Sequence, residues 1–168
     1  AIMANPYLQL TAIAVADPAG NAATGTTTLT GTATSGGVLT VWVGSNRVDV
    51  NVNAGDTAAT LATALAAAVN ARAEIPVGSV AAAAVVTHTC YHKGTLGNDI
   101  KISASCTATG LTVAVTGLAG GTLDPDYSAA LAAVAGAGHH IIAAPLSSQA
   151  HLTALRSHLD FVSGPLEQ

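Results

Sequence analysis

The chain has 168 residues, enough for one domain or two small ones with a buried core; half of them are apolar and 8% are charged, against roughly 25% in an ordinary soluble domain. Five Lys and Arg and a net charge of −4 leave no basic patch to neutralise phosphates, which argues against a nucleic-acid partner. No apolar run of spanning length is free of polar interruption, so no membrane insertion is expected, and the opening AIMANPYLQL lacks the basic stretch of a signal peptide. A surface made of Thr, Ser, Asn, Gly and Ala gives neighbours little reason to keep away, which points to life inside an assembly; an alanine-rich domain without such a role has the same composition.

In chain order, residues 7–16 (YLQLTAIAVA) alternate as a strand that can be buried on both faces, and Asp17-Pro18-Ala19-Gly20-Asn21 ends it by turn chemistry. Residues 25–34 (GTTTLTGTAT) are β-branched with almost no large apolar group, so they are expected as a strand in a wet or edge position. Ser35-Gly36-Gly37 then leads into a hairpin.

Residues 38–71 (VLTVWVGSNRVDVNVNAGDTAATLATALAAAVNA) form the clearest stretch. Val48, Val50 and Val52 alternate with Arg47, Asp49 and Asn51, and Leu39, Val41 and Val43 supply the matching face. A Ser45-Asn46 turn would set Val43 opposite Val48, Val41 opposite Val50 and Leu39 opposite Val52, whereas a slip of one residue sets Val41 against Asp49. Trp42 falls on the opposite face, either covered by the rest of the domain, which is favoured, or exposed. Asp56 and Thr57 are both N-cap types, and Leu61, Leu65, Ala68 and Val69 make an apolar stripe on the helix that follows.

After a break at Ile75-Pro76-Val77-Gly78, residues 80–92 are expected as one long strand, residues 93–99 (KGTLGND) as a turn, and IKISAS and LTVAVTG as two further strands. A hairpin of residues 84–92 with 99–106 would set Cys90 and Cys106 on the order of 15 Å apart, beyond bridging distance, so reduced thiols are expected. Up to residue 122 the count is about seven mostly antiparallel strands with one helix.

From Leu123 the texture changes. Asp124 is expected to cap a helix with Pro125 at its first position and Asp126 in its first turn, with Leu131 and Val134 on its apolar side. HHIIAAPL then has the character of a strand covered on both faces, and Ser147 or Ser148 caps a second helix with the stripe Leu152, Leu155, Leu159 and Val162, ended by Gly164-Pro165. The fold class is α+β: a β-rich domain over residues 7–122, then the helix-strand-helix beginning of an α/β unit over residues 123–168. One strand does not make a parallel sheet. Either residues 139–144 join the earlier sheet, or the partner strands follow Gln168; the second is favoured.

Each candidate reactive group fails on spacing. His88 and His92 share a strand face about 13 Å apart, His139 and His140 point to opposite faces, and His151 and His158 sit two helical turns apart, about 10 Å, so none of these pairs chelates a metal. Asp124 and Asp126 lack the glycine and distal glutamate of a calcium loop, and Gly94, Gly97, Asn98 and Asp99 make a turn without the GK[ST] of a phosphate loop. There is no G-x-S-x-G and no cysteine in a legibly basic setting, so no catalytic, cofactor-binding or metal-binding residue is assigned, no cofactor is required and the chain is not expected to be an enzyme.

The order of YLQL, the hairpin with AGDTAATLA, the HKGTLGNDI turn, the GG-x-x-x-P-D helix start and SSQAHLTAL resembles the Mu-like tail sheath proteins of contractile-tailed bacteriophages, over nearly the whole chain. The resemblance implies a middle portion of a longer structural protein of the virion: a β-rich inserted domain, residues 7–122, and the incomplete start of an α/β sheath core, residues 123–168. It implies subunits that assemble in the host cytoplasm, stack helically around the tail tube protein and contract to drive it through the host envelope. The partners so implied are other copies of the chain and the tail tube. Two other classes are weighed against it. A carbohydrate- or receptor-binding β-domain would want clustered exposed aromatics, and Tyr7, Trp42, Tyr91, Tyr127 and Phe161 show no cluster. A hydrolase would want a nucleophile that the terminal segment does not offer.

Overall fold

The computed structural model describes residues 11–137, 141–144 and 148–163. It divides into a β-rich unit, residues 17–124, and a second unit made of the residues on either side. Among the described residues the fold is α+β, with seven strands in two antiparallel sheets and three α-helices.

The β-rich unit runs β1 (Ala22–Gly31), β2 (Gly37–Val43), β3 (Asn46–Val52), α1 (Ala58–Asn70), β4 (Val77–Ala82), β5 (Val85–Lys93), β6 (Ile102–Cys106) and β7 (Leu111–Ala119). One sheet has the order β4-β5-β1-β7 and the other β3-β2-β6. β6 runs beside β7, while α1 lies against β3 on one side and β4, β5 and β1 on the other, so the helix fills the space between the two sheets. Its N-cap is Thr57, whose side chain accepts from the Thr60 N–H, and Ala58, Leu61, Ala62, Leu65, Ala66 and Val69 are its buried face. Each fully buried Leu or Val there contributes roughly 1.5–3 kcal/mol, and alanine between them lets the helix approach the strands closely. Leu39, Val41, Val43, Val48 and Val52 from the hairpin, with Ile75, Val77 and Val86, complete the core.

The hairpin keeps the expected faces but in a different register. Val41 pairs with Val48, Leu39 with Val50 and Val43 with Asn46, about a Gly44-Ser45 turn. Gly44 sits at φ +60, a left-handed position that glycine adopts without steric cost, so the turn forms one residue earlier than expected. The resulting two-residue slip between strands leaves every side chain on the same face, which is why burial alone does not choose between the two pairings. Trp42, expected to be covered, is half-buried on the outer face, with the Arg47 guanidinium 5.9 Å from its ring centroid.

Three strand expectations are overturned. β1 is an inner strand, paired with β5 and β7, and not an edge: Ala23, Thr27 and Leu29 point into the core. Residues 80–92 are not one strand, because the chain turns at Ala83, which takes φ +50, and β4 pairs back on β5. The hairpin of residues 84–92 with 99–106 does not form: a 3-10 turn, Thr95–Asp99, carries the chain from the four-stranded sheet to the three-stranded one, where β6 pairs with β2. Residues 11–16 form no strand, and residues 7–10 lie outside the described part.

In the second unit α2 (Ser128–Val134) and α3 (Gln149–Val162) lie against one another, and no described residue of either is buried. Ser148 caps α3 as expected, but Leu152 and Leu159 of the expected stripe are exposed. Asp124 does not cap α2; Tyr127 holds that position without a side-chain bond, and Asp126 instead accepts from the N–H and hydroxyl of Ser128. The buried strand expected at residues 139–144 is absent over 141–144, where Ile141 is 86% exposed; His139, His140, residues 145–147 and the Gly164-Pro165 stop lie outside the described residues. A strand with that composition forms only when other strands cover it.

Candidate functional site

The most chemically suggestive group of side chains lies inside the four-stranded sheet. Alternation along β1, β4 and β5 turns Thr27, Ser79 and His88 inward, and pairing brings them together. The His88 ring meets the Ser79 hydroxyl through Nδ1 at 2.7 Å and the Thr27 hydroxyl through Nε2 at 3.0 Å. Asn70, at the end of α1, closes the set. Its amide donates to the Ser79 carbonyl and accepts from the Ser79 N–H, both at 2.8 Å, taking the place a further strand would have on the β4 edge.

A serine hydroxyl 2.7 Å from an imidazole has the spacing of a nucleophile and its base. The rest of the arrangement differs. The group that orients the ring is a threonine hydroxyl and not a carboxylate, and Thr27 and His88 are 0% exposed with Ser79 at 4%, so no substrate carbonyl reaches the oxygen. Burial disfavours the imidazolium and lowers the His88 pKa to about 4, so the ring is neutral near pH 7, with one nitrogen donating and the other accepting. Both buried hydroxyls then have a partner. The cluster joins three strands and, through Asn70, the helix. Sequence reasoning did not single out Thr27, Ser79 or Asn70; the available signal was a polar residue at the inward position of three separate strands.

A second set of polar contacts holds the ends of the β-rich unit. Asp124 accepts from the Thr95 N–H at 2.7 Å and from its hydroxyl, so the carboxylate expected on α2 secures the start of the 3-10 turn instead. The Asn98 side chain pairs with the backbone of Gly121 in both directions, at 3.0 and 2.8 Å. A Cβ on Gly121 would stand 2.3 Å from the Gly94 carbonyl, so the close approach of these two loops requires glycine there. Beside them Asn21 and Thr122 exchange two bonds: the Asn21 N–H to the Thr122 hydroxyl, 3.0 Å, and the Thr122 N–H to the Asn21 carbonyl, 3.1 Å. The lead-in to β1 and the exit from β7 are therefore fastened to each other.

The other histidines stay apart. His92 stands exposed at the end of β5, 3.3 Å from Asp17. The His151 ring donates from Nε2 to the Pro125 carbonyl and pairs with the Ser148 hydroxyl through Nδ1, and His158 is half-buried on α3. Among the described residues no three His, Cys, Asp or Glu side chains come together in a way that would hold a metal ion. Cys90 and Cys106 are free thiols on different sheets; Cys90 is buried against Gly97, and burial raises its pKa. The aromatic side chains are dispersed: Trp42 on the three-stranded sheet, Tyr91 on β5, Tyr127 against His151 with centroids 4.9 Å apart, and Phe161 exposed on α3. No described helix is long and apolar enough to cross a membrane.

No family model matches the chain. It is 32% identical over 156 residues to the Mu-like prophage FluMu tail sheath protein of Haemophilus influenzae, a match that takes in 90% of this chain and 32% of that protein. The chain thus spans about a third of the length of the relative it matches.

Proposed function

We propose that this chain is a portion of a tail sheath subunit of a contractile phage tail, and that its work is structural. In this reading the β-rich region, up to about residue 122, is a domain inserted into the subunit, and the segment from residue 123 opens the α/β core. The observation that carries it is the pair of bonds between Asn21 and Thr122. A domain whose two ends meet can be set into a host fold at one point without displacing it, and it keeps its own core while the host moves. The similarity to a tail sheath protein along nine tenths of the chain supports the same reading. So does the second unit, whose helices bury no described residue and so suit a core completed by further chain.

Sheath subunits of this kind would stack around a tail tube in the virion after assembly in the host cytoplasm. Contraction would be a switch between two sets of contacts, a few kcal/mol per subunit multiplied over many copies. No step of that work needs a nucleophile or a cofactor, in keeping with a Ser79–His88 pair that is closed to solvent. Electron microscopy of the full-length protein carrying this sequence tests the proposal. Helical tubes are the expected result; dispersed particles that bind a defined glycan would overturn it in favour of carbohydrate recognition.

A further inference from the structure

The outer face of the four-stranded sheet is unusual for a surface in water. Pairing sets Val80, Thr87, Thr26 and Thr116 side by side across the four strands, and the rows above and below hold only Gly, Ala, Thr and Val. Val80 is 71% exposed and Tyr91, whose ring lies over Gly78, is 56% exposed. The first charge met is Lys93, at the end of β5. The three-stranded sheet differs: its outer face carries Arg47 and Asp49, paired at 2.9 Å.

Addition along the edges of this sheet is hindered. Asn70 occupies the outward N–H and carbonyl of Ser79 on β4, and β6 runs beside β7. Edge blocking of this kind turns association away from strand addition and leaves the face. Four strands and about six residues per strand make a plate of roughly 20 by 20 Å, which with side-chain relief approaches the ~800 Å² per partner of a standard interface. An uncharged plate offers nothing to a charged polymer and no ring cluster to a sugar. It suits a surface as poor in charge as itself, and this chain has only 14 Lys, Arg, Asp and Glu in 168 residues.

We propose that this face is the seat of a second copy of this chain. The proposal deepens the sheath reading, on which it rests for the expectation that copies meet. Placing Lys at Thr89 and Thr116, both exposed and on either side of β1, sets two desolvation-resistant charges in the plate without touching the core. Sedimentation of the wild-type chain up to about 1 mM should show a mass that rises with concentration, at the weak end of specific association. Thr89→Lys/Thr116→Lys should weaken that association at least about tenfold. Ser103→Lys/Ser105→Lys, on the exposed face of the other sheet, should leave it unchanged. Should the first double variant fail to fold by circular dichroism, Thr89→Lys alone carries the same comparison.

A wild-type chain that stays monomeric, a face variant that associates like wild type, or a control that weakens association equally would each overturn the proposal. Full-length Thr89→Lys/Thr116→Lys that forms unaltered tubes removes this inference and leaves the sheath reading. Pairing of the chain through this face, with no tubes from the full-length protein, does the reverse.

Discussion

Lowering the pH from 7.5 to 4 should destabilise the β-rich unit through His88. In the unfolded chain the imidazole titrates at its ordinary value of 6.5, whereas in the fold burial brings it to about 4. Between those values the unfolded state binds a proton that the folded state refuses, so stability is complete above pH 6.5 and falls as the pH drops towards 4. Each pH unit in the window is worth about 1.4 kcal/mol, so the full loss is roughly 3 kcal/mol, a large share of the stability of a domain this size. Denaturant titration followed by Trp42, the only tryptophan, measures it in the same unit. His88→Gln is the control: it keeps one amide bond to a buried hydroxyl, costs about 1–2 kcal/mol at pH 7.5, and removes the titrating group. The wild-type midpoint should fall steeply between pH 6.5 and 4, and that of the variant should not. Equal slopes in the two proteins, or a His88 ring that titrates near 6.5 by NMR in the folded state, would refute the reasoning. The Asp49 carboxylate, held below its usual range by the Thr40 hydroxyl and Arg47, loses its contribution only at pH values near and below 3.8, beneath the window.

Leu65→Ala, which removes a fully buried side chain from α1, should cost 2–5 kcal/mol by chemical denaturation, with the size set by how far the neighbouring strands close in. Asn70→Ala should cost about 1–3 kcal/mol, because it removes both bonds to the Ser79 backbone, and should speed hydrogen exchange at the Ser79 amide above all. Ala83→Gly should stabilise by about 0.5 kcal/mol: relief of the left-handed Ala83 conformation exceeds the added freedom of the unfolded chain, and a lower denaturation midpoint would contradict that.

What the sequence made legible was local. The α1 stripe, its cap at Thr57 and the matched valine faces of β2 and β3 all follow from periods of 3.6 and 2, and all are present. The hairpin register was missed by a turn that begins at Gly44, since a shift that preserves both faces changes nothing that burial can detect. The free thiols Cys90 and Cys106 were anticipated, but through a hairpin that does not exist; they stand on different sheets.

The position of β1 was hidden for a different reason. GTTTLTGTAT has no large apolar face, so it reads as a strand for solvent, yet Thr27 is wholly buried because His88, 61 residues away, supplies a partner for its hydroxyl. Asp124 fails in the same way. A carboxylate before Pro125 has a sufficient local use as a helix cap, and nothing nearby in the chain hints that Thr95, 29 residues earlier, would claim it. Polar side chains that close a fold over long sequence separations have no period and no neighbour to betray them. They are also where this β-rich unit is fastened: Asn70 to Ser79, His88 to Thr27, Asn98 to Gly121 and Asn21 to Thr122 join segments that hydrophobic patterning leaves unrelated. The tail, residues 125–163, has patterning without such fastenings among its described residues beyond His151 to Pro125 and the helix contacts, and there the expected strand is absent. An apolar pattern specifies which face must be covered; only the long-range partners decide whether this chain can cover it.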